Sequence, residues 1–237
     1  VATARELVVQ DPTNDVEFFF LRPRDIATYV GKGTLDVGIT GQDMLLDAGS
    51  DAHTILELGF APSTFRLAAP KGSVRSGAEL EGKRIATSYP GILADWLNRR
   101  SIKATIVALD GAVENSVALG VADAVADVVA TGTTLRQAGL EIVDEPLLHS
   151  QAVLISRHDL PDPGAVEVFV RRLQGVIVAR SYVLVDYDIP NTRIDAACAI
   201  TPGIESPTVS SLQNSTWSAV RAMVPRQDVH RVMDELY

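Results

Sequence analysis

Asp127 and the run Ala130-Thr131-Gly132-Thr133-Thr134-Leu135 are the part of this chain best equipped for chemistry. Apolar and acidic residues over 121–129 read as a buried strand that stops at a small, hydroxyl-rich turn. Leu135-Arg136-Gln137-Ala138 then opens a short helix that Gly139 can close. A strand running through a Gly/Thr turn into a helix presents free backbone N–H groups at the positive end of a helix dipole, which suits a phosphate. Asp127 is badly placed for that phosphate and well placed for sugar hydroxyls. Together these groups point to a phosphorylated sugar.

The pattern occurs twice. Asp36-Val37-Gly38-Ile39-Thr40-Gly41 and Asp127-Val128-Val129-Ala130-Thr131-Gly132 share Asp-Val-x-x-Thr-Gly, and each opens a new helix. Two lobes of similar α/β topology, each aiming a helix start at a shared cleft, would explain the repeat. Arg22 stands at the end of an apolar run, 16–21, whose composition predicts a strand covered on both faces. There it can neutralise phosphate, while Asp43 can accept hydrogen bonds at the first-lobe turn. Tyr89, in the turn Ser88-Tyr89-Pro90-Gly91, offers a ring for stacking a purine, or is a packed turn aromatic.

The elements that must hold these residues follow from the pattern of apolar residues. Strands are expected at 7–9, 16–21, 35–39, 65–70, 84–87, 104–109 and 153–156. Helices are expected at 24–30, where Pro23 suits the first turn, and at 44–48, 91–100, 112–119 and 162–174. Two strands crossing between lobes, 65–70 and 153–156, make a hinged bilobal fold. From residue 181 the order becomes β-α-β-β-α, a ferredoxin-like module short of its last strand. The expected domains are lobe I, residues 1–63 and 153–180; lobe II, 64–152; and a terminal module, 181–237.

The bulk properties narrow the function classes. The chain has 237 residues, 46% of them hydrophobic, enough for two or three packed units. A net charge of −9 argues against a nucleic-acid or membrane surface, so any phosphate is held by a local site. The lone Cys198, with no transmembrane run or leader, fits a cytoplasmic protein. His53, His149, His158 and His230 are scattered and read as surface residues, and Trp96 and Trp217 as core. Asp36 reads as a solvated strand end, and Arg99-Arg100 as a solvated helix end.

With these residues in view the chain resembles the ATP phosphoribosyltransferase family, in its long, histidine-regulated form. The stretch from Glu114 through Gly120, Asp127, Thr131, Gly132 and Thr134 to Leu135 matches that family's signature. So do Phe20-Leu21-Arg22-Pro23, Gly38-Ile39-Thr40-Gly41, Ala86-Thr87-Ser88-Tyr89-Pro90 and Thr201-Pro202-Gly203-Ile204-Glu205-Ser206-Pro207-Thr208. The resemblance implies an α/β fold of two periplasmic-binding-protein-like lobes plus an ACT-like regulatory domain. It implies a homohexamer in equilibrium with dimers, and Mg2+ as cofactor. It also implies a Pro-x-Lys-Gly turn ahead of Val1 and a further strand after Tyr237.

The implied reaction joins the adenine N1 of ATP to the anomeric carbon of phosphoribosyl pyrophosphate and expels pyrophosphate. Asp127 and Arg22 are the implied catalytic pair. Asp127, Glu114 and the turn from Ala130 to Leu135 would hold phosphoribosyl pyrophosphate; Arg22, Gly41, Asp43, Ser63 and Tyr89 would hold the nucleotide. Magnesium would ride on the pyrophosphate, supported by Asp110 or Glu114, with no dedicated protein-ligated site. Asp188, Ile204, Thr208 and Met223 would line a site for inhibitory histidine, although Asp188 beside Pro190 also reads as turn chemistry. Family members often carry Arg where Thr133 stands, so phosphate binding here is left to N–H groups and hydroxyls. The competing reading is a non-catalytic solute-binding module of the same bilobal fold, with a small anionic ligand.

Overall fold

The computed structural model describes residues 7–129 and 132–237, and its contacts divide the chain after Asp162 into two compact units. In the first, β1 (Val8–Asp11) and β2 (Val16–Phe19) form an antiparallel hairpin. Next come α1 (Pro23–Gly31), β3 (Val37–Gly41), α2 (Gln42–Asp47) and β4 (His53–Glu57). The chain then enters β5 (Ser63–Pro70), β6 (Arg84–Thr87), α3 (Pro90–Arg100), β7 (Thr105–Ala108) and α4 (Asn115–Ala118). It continues through β8 (Ala124–Val129), α5 (Thr133–Gln137), β9 (Leu140–Ser150) and β10 (Ala152–Ser156).

Two sheets carry the lobes. The small one has order β3-β10-β4, all antiparallel; the larger has order β7-β6-β8-β5-β9. In the larger sheet β6 runs parallel to β7 and β8, whereas β5 is antiparallel to β8 and β9. Strand β5 therefore lies wholly in lobe II, and the crossings expected of the strands themselves are made by short links. One is residues 58–62; the other is the single residue Gln151 between β9 and β10.

Side chains alternate between the faces of β5 and β8, as a period of two requires. Phe65, Leu67, Ile85, Leu93 and Leu97 fill one face beneath α3. Ala68, Val113, Val125, Val129, Leu135 and Leu140 fill the other. Ala27, Val30, Leu45, Val153 and Ile155 make a separate core in lobe I. Burying a side chain such as Phe65 or Leu93, both fully covered, stabilises by about 1.5–3 kcal/mol each.

Several sequence expectations are corrected here. The run 16–21 is not a covered central strand: Phe18, Phe19 and Phe20 are 40%, 41% and 56% exposed, because among the described residues β2 pairs with β1 alone. The strand expected from residue 121 starts at Ala124, since the Val121 and Ala122 N–H groups donate to the Ser116 carbonyl and close α4. That helix is shorter than expected because Ala112 sits at φ +49. Strands β4 and β9 had no sequence prediction. In β9, Pro146 and the acidic Asp144-Glu145 break the apolar alternation on which strand recognition depends.

The second unit opens with α6 (Pro163–Ser181), longer than the helix read from sequence. Then follow β11 (Tyr182–Pro190), α7 (Ile194–Ile200), β12 (Thr208–Ser211), β13 (Trp217–Pro225) and α8 (Val229–Leu236). The sheet order is β11-β13-β12, antiparallel throughout, which agrees with the expected β-α-β-β-α order. Ile189, Ala197 and Val220 anchor its core. Trp217, read as core, is 39% exposed at the start of β13, while Trp96 packs half-buried on the lobe II core.

Candidate active site

Asp127 is half-buried on β8, on the face it shares with Val125 and Val129. Its Oδ1 accepts a hydrogen bond from the Val128 N–H at 2.8 Å. Burial raises its pKa above the ordinary carboxylate value, and the negative charge of Glu114 adds to the rise against the Val128 hydrogen bond. Glu114 immediately precedes α4 and is itself half-buried. Glu114 thus lies near enough to act electrostatically on Asp127. Asp110 lies exposed beyond β7, where the neighbouring Gly111 N–H donates to Ser88 Oγ at 3.1 Å.

Beyond Val129, Ala130 and Thr131 lie outside the described residues. Gly132 is left-handed at φ +70 and caps α5, which begins at Thr133, two residues earlier than the sequence reading placed it. Leu135 is buried and ties this turn to the core. Thr133 is exposed, and its Oγ1 accepts a hydrogen bond from Arg136 Nη2 at 3.3 Å. A guanidinium thus borders the turn from α5 itself.

Lobe I brings Gly41 and Asp43 together at the start of α2. A Cβ on Gly41 would collide with the Asp43 carboxylate, so only glycine leaves that side chain its room. Asp43 is buried; its N–H donates to Ser150 Oγ at 3.0 Å, and that hydroxyl donates to Asp43 Oδ1 at 2.9 Å. Arg22 is exposed just ahead of α1.

Tyr89 is placed differently from the sequence expectation of an open stacking ring. It is 8% exposed, edge-on to Phe65 at 5.5 Å between centroids, with the Arg24 guanidinium 5.9 Å above its ring. Burial first, then the charge of Asp43 and Asp127, push its phenol well above the usual value. In this arrangement it is the packed turn aromatic, and purine stacking on it has no free face.

A cavity of about 800 Å³ lies beside the turn, a volume in the range of small-molecule sites; of its lining the sequence reading named only Ser63, which stands at the start of β5 in the lobe II sheet and not in lobe I. Its wall includes Gln42 and Gln151 from lobe I and the links, with Ser63, Thr64, Arg66 and His149 from lobe II. Arg66 Nε donates to Thr64 Oγ1 at 3.0 Å, and that hydroxyl donates to the Val129 carbonyl at 3.2 Å, at the end of β8. Arg66 also faces Asp127 across the β5–β8 pair. One signal was available: a lone cation inside the apolar run Phe65–Ala69 reads as a functional insertion.

Of the expected histidine-site residues, Asp188, Thr208 and Met223 lie on one face of the second unit's sheet. Asp188 pairs with Ala219, Thr208 with Arg221, and Met223 with Leu184, all in the alternation opposite buried Val220 and Ala222. Arg221 in the row between is held by Asp186 at 2.6 Å. Ile204 lies off the strands and is 54% exposed. Asp36 contacts Arg157 at 3.4 Å as a largely exposed strand-end residue.

A family model described as ATP phosphoribosyltransferase matches residues 22–175. The chain belongs to the ATP phosphoribosyltransferase family. A second model, for the C-terminal domain of that family, matches residues 179–237. An ATP phosphoribosyltransferase of Pseudarthrobacter chlorophenolicus is 62% identical over 99% of this chain and 84% of its own length. The Streptomyces coelicolor protein of that name is 55% identical over the same shares. Among solved structures, the ATP phosphoribosyl transferase (HisG:HisZ) complex from Thermotoga maritima superposes with a TM-score of 0.66. It is 28% identical over 75% of this chain and 87% of that one. The fold is therefore that of the family, two α/β lobes followed by a separate C-terminal domain. The activity is the family's too: phosphoribosyl transfer from phosphoribosyl pyrophosphate to ATP, the first step of histidine biosynthesis.

Proposed function

We propose that the transfer is carried out between the two lobes of the first unit, with phosphoribosyl pyrophosphate on lobe II and ATP on lobe I. The observation that carries this is the half-buried Asp127 at the mouth of the Gly132–Leu135 turn, with Glu114 near enough to perturb it. The turn, Ala130 and Thr131 included, holds the 5′-phosphate through N–H groups and hydroxyls. Asp127 accepts hydrogen bonds from the ribose hydroxyls, and its charge favours the cation that develops at the anomeric carbon as pyrophosphate leaves. Arg22 neutralises phosphate charge, and Gly41, Asp43 and Ser63 orient the nucleotide so that adenine N1 meets that carbon.

Magnesium fits this arrangement as a companion of the pyrophosphate. Among the described residues no group of three or more carboxylate, imidazole or thiol side chains could hold a metal alone. Two interacting carboxylates, Asp127 and Glu114, with Asp110 exposed nearby in sequence order, suit an ion whose other ligands are phosphate oxygens and water. When bound, it supplies charge neutralisation on the leaving group.

The second unit is read as the histidine sensor, with Asp188 pairing the ligand's ammonium group and Ile204, Thr208 and Met223 around it. The enzyme is read as cytoplasmic and as a homo-oligomer, dimeric or hexameric. No helix of the described residues is long and apolar enough to cross a membrane. Two substitutions separate the parts of this reading. Asp127→Ala cripples turnover while the circular dichroism spectrum is retained; near-normal turnover would remove Asp127 from the mechanism. Asp188→Ala keeps turnover and loses inhibition by histidine, and unchanged sensitivity would end its assignment.

A further inference from the structure

Besides the Asp43–Ser150 pair, a second set of polar contacts between the two lobes converges on Asp47 and Arg24. Asp47, the last residue of α2 in lobe I, has a fully buried side chain. A carboxylate at the C-terminal end of its own helix opposes that helix's dipole, so helix stability gives no reason for it to be there. Its partners are in lobe II. Oδ1 accepts hydrogen bonds from the Gly91 N–H at 2.8 Å and the Ile92 N–H at 3.2 Å, the first two available donors of α3 after Pro90. Oδ2 makes no aligned hydrogen bond, and its charge partner among the described residues is Arg24 Nη1 at 2.7 Å.

Arg24 completes the link. From α1 it donates through Nη2 to the Ser88 carbonyl at 2.6 Å, across the lobes, and it lies over the Tyr89 ring. The backbones are pressed together at the same point: a Cβ on Gly91 would strike the Asp47 carbonyl oxygen. The φ of Gly91 is not left-handed, so close approach alone accounts for the glycine. Met44 of α2 meanwhile packs into the lobe II core.

We infer that Arg24 and Asp47 are positioning residues: a cross-lobe clamp that holds α2 against the start of α3 and fixes the spacing of the two half-sites. Lobe I carries Arg22, Gly41 and Asp43, and lobe II carries Asp127, Glu114 and the phosphate turn. A transfer between substrates held on different lobes depends on that spacing, and misplacement by about 1 Å costs on the order of 100-fold in rate. Tyr89 is the strut of the clamp, gripped between Arg24, Phe65 and Asp43, which accounts for its burial. The inference rests on the assignment of the two half-sites proposed above.

The test uses the intact protein and three variants: Asp47→Asn, which keeps an acceptor and removes the charge; Gly91→Ala, which wedges the helices apart; and Arg24→Lys, which keeps the charge. Three readouts are taken: amide hydrogen exchange at Gly91 and Ile92, kcat and KM for both substrates, and the affinity for ribose 5-phosphate. Ribose 5-phosphate probes lobe II alone. Asp47→Asn and Gly91→Ala are expected to speed exchange at those amides and to lower kcat/KM roughly 10- to 100-fold. Ribose 5-phosphate affinity stays within about twofold, and Arg24→Lys, which keeps the charge but loses the two-pronged contact and the ring stacking, lowers the rate as well. Faster exchange with unchanged kcat and KM would overturn the positioning role, and unchanged exchange would overturn the clamp itself. Failure of the unmodified protein to bind ribose 5-phosphate would instead count against the half-site assignment and remove the basis of the positioning role. Should Asp47→Asn not fold, Gly91→Ala carries the same comparison with every charge in place.

Discussion

Asp127 sits where function and stability pull in opposite directions. Its pKa is raised by burial and by Glu114, so the folded state disfavours its charged form. The sign follows directly. Below the ordinary carboxylate value of 3.8 the group is protonated in both states and contributes nothing to the pH dependence. As pH rises from there through the raised folded value, the unfolded chain ionises first and stability falls; above that value the cost is fully present. Asp127→Asn therefore unfolds at a higher temperature than the parent at neutral pH, with the gain vanishing near pH 3, while turnover drops about 100-fold or more. Thermal unfolding across pH, beside a turnover assay, checks both; a neutral-pH loss of stability would contradict the burial argument. The place of this residue near a strand end was legible in sequence because a carboxylate before a Gly/Thr turn is a local pattern. Arg66 left only its lone charge in an apolar run as a signal and Asp47 left none, because their neighbours lie far along the chain: Asp127 stands opposite Arg66 in a β ladder, and Asp47 reaches the start of α3 across two lobes.

At the scale of elements, the turn into α5 depends on one backbone conformation. Gly132 holds φ +70 as the cap of a helix of five residues. A Cβ there would meet Arg136, Ile142 and Val129 no closer than 3.5 Å, so space is not the obstacle and the left-handed backbone is. Gly132→Ala is expected to cost about 1–2 kcal/mol of stability and to raise KM for phosphoribosyl pyrophosphate more than KM for ATP. Equal changes in the two KM values would detach the turn from the sugar phosphate. Elements with strong local signals were readable, β6 to the residue and α3 after Pro90 to within one. The exposed hairpin was not: Phe18, Phe19 and Phe20 carry the composition of a buried strand, and composition says nothing of which neighbours exist.

For the whole molecule, the repeated Asp-Val-x-x-Thr-Gly motif foretold two lobes, and β3 and β8 carry the two copies in separate sheets. Their junction could not be read from the motif. It is made by Gln151, by residues 58–62, and by the contacts of Asp47 and Arg24 with Ser88, Gly91 and Ile92, none of which has a local signature. The second unit has its own sheet and core, which suits a sensor that can be altered without touching the catalytic lobes. Both rest on a central claim, that this cleft joins ATP to a phosphoribosyl group. The direct measurement is pyrophosphate release by the intact protein with phosphoribosyl pyrophosphate and magnesium, with and without ATP. Release that requires ATP, and that Asp127→Ala abolishes, is the predicted result; release independent of ATP, or none from the unmodified protein, would contradict the account.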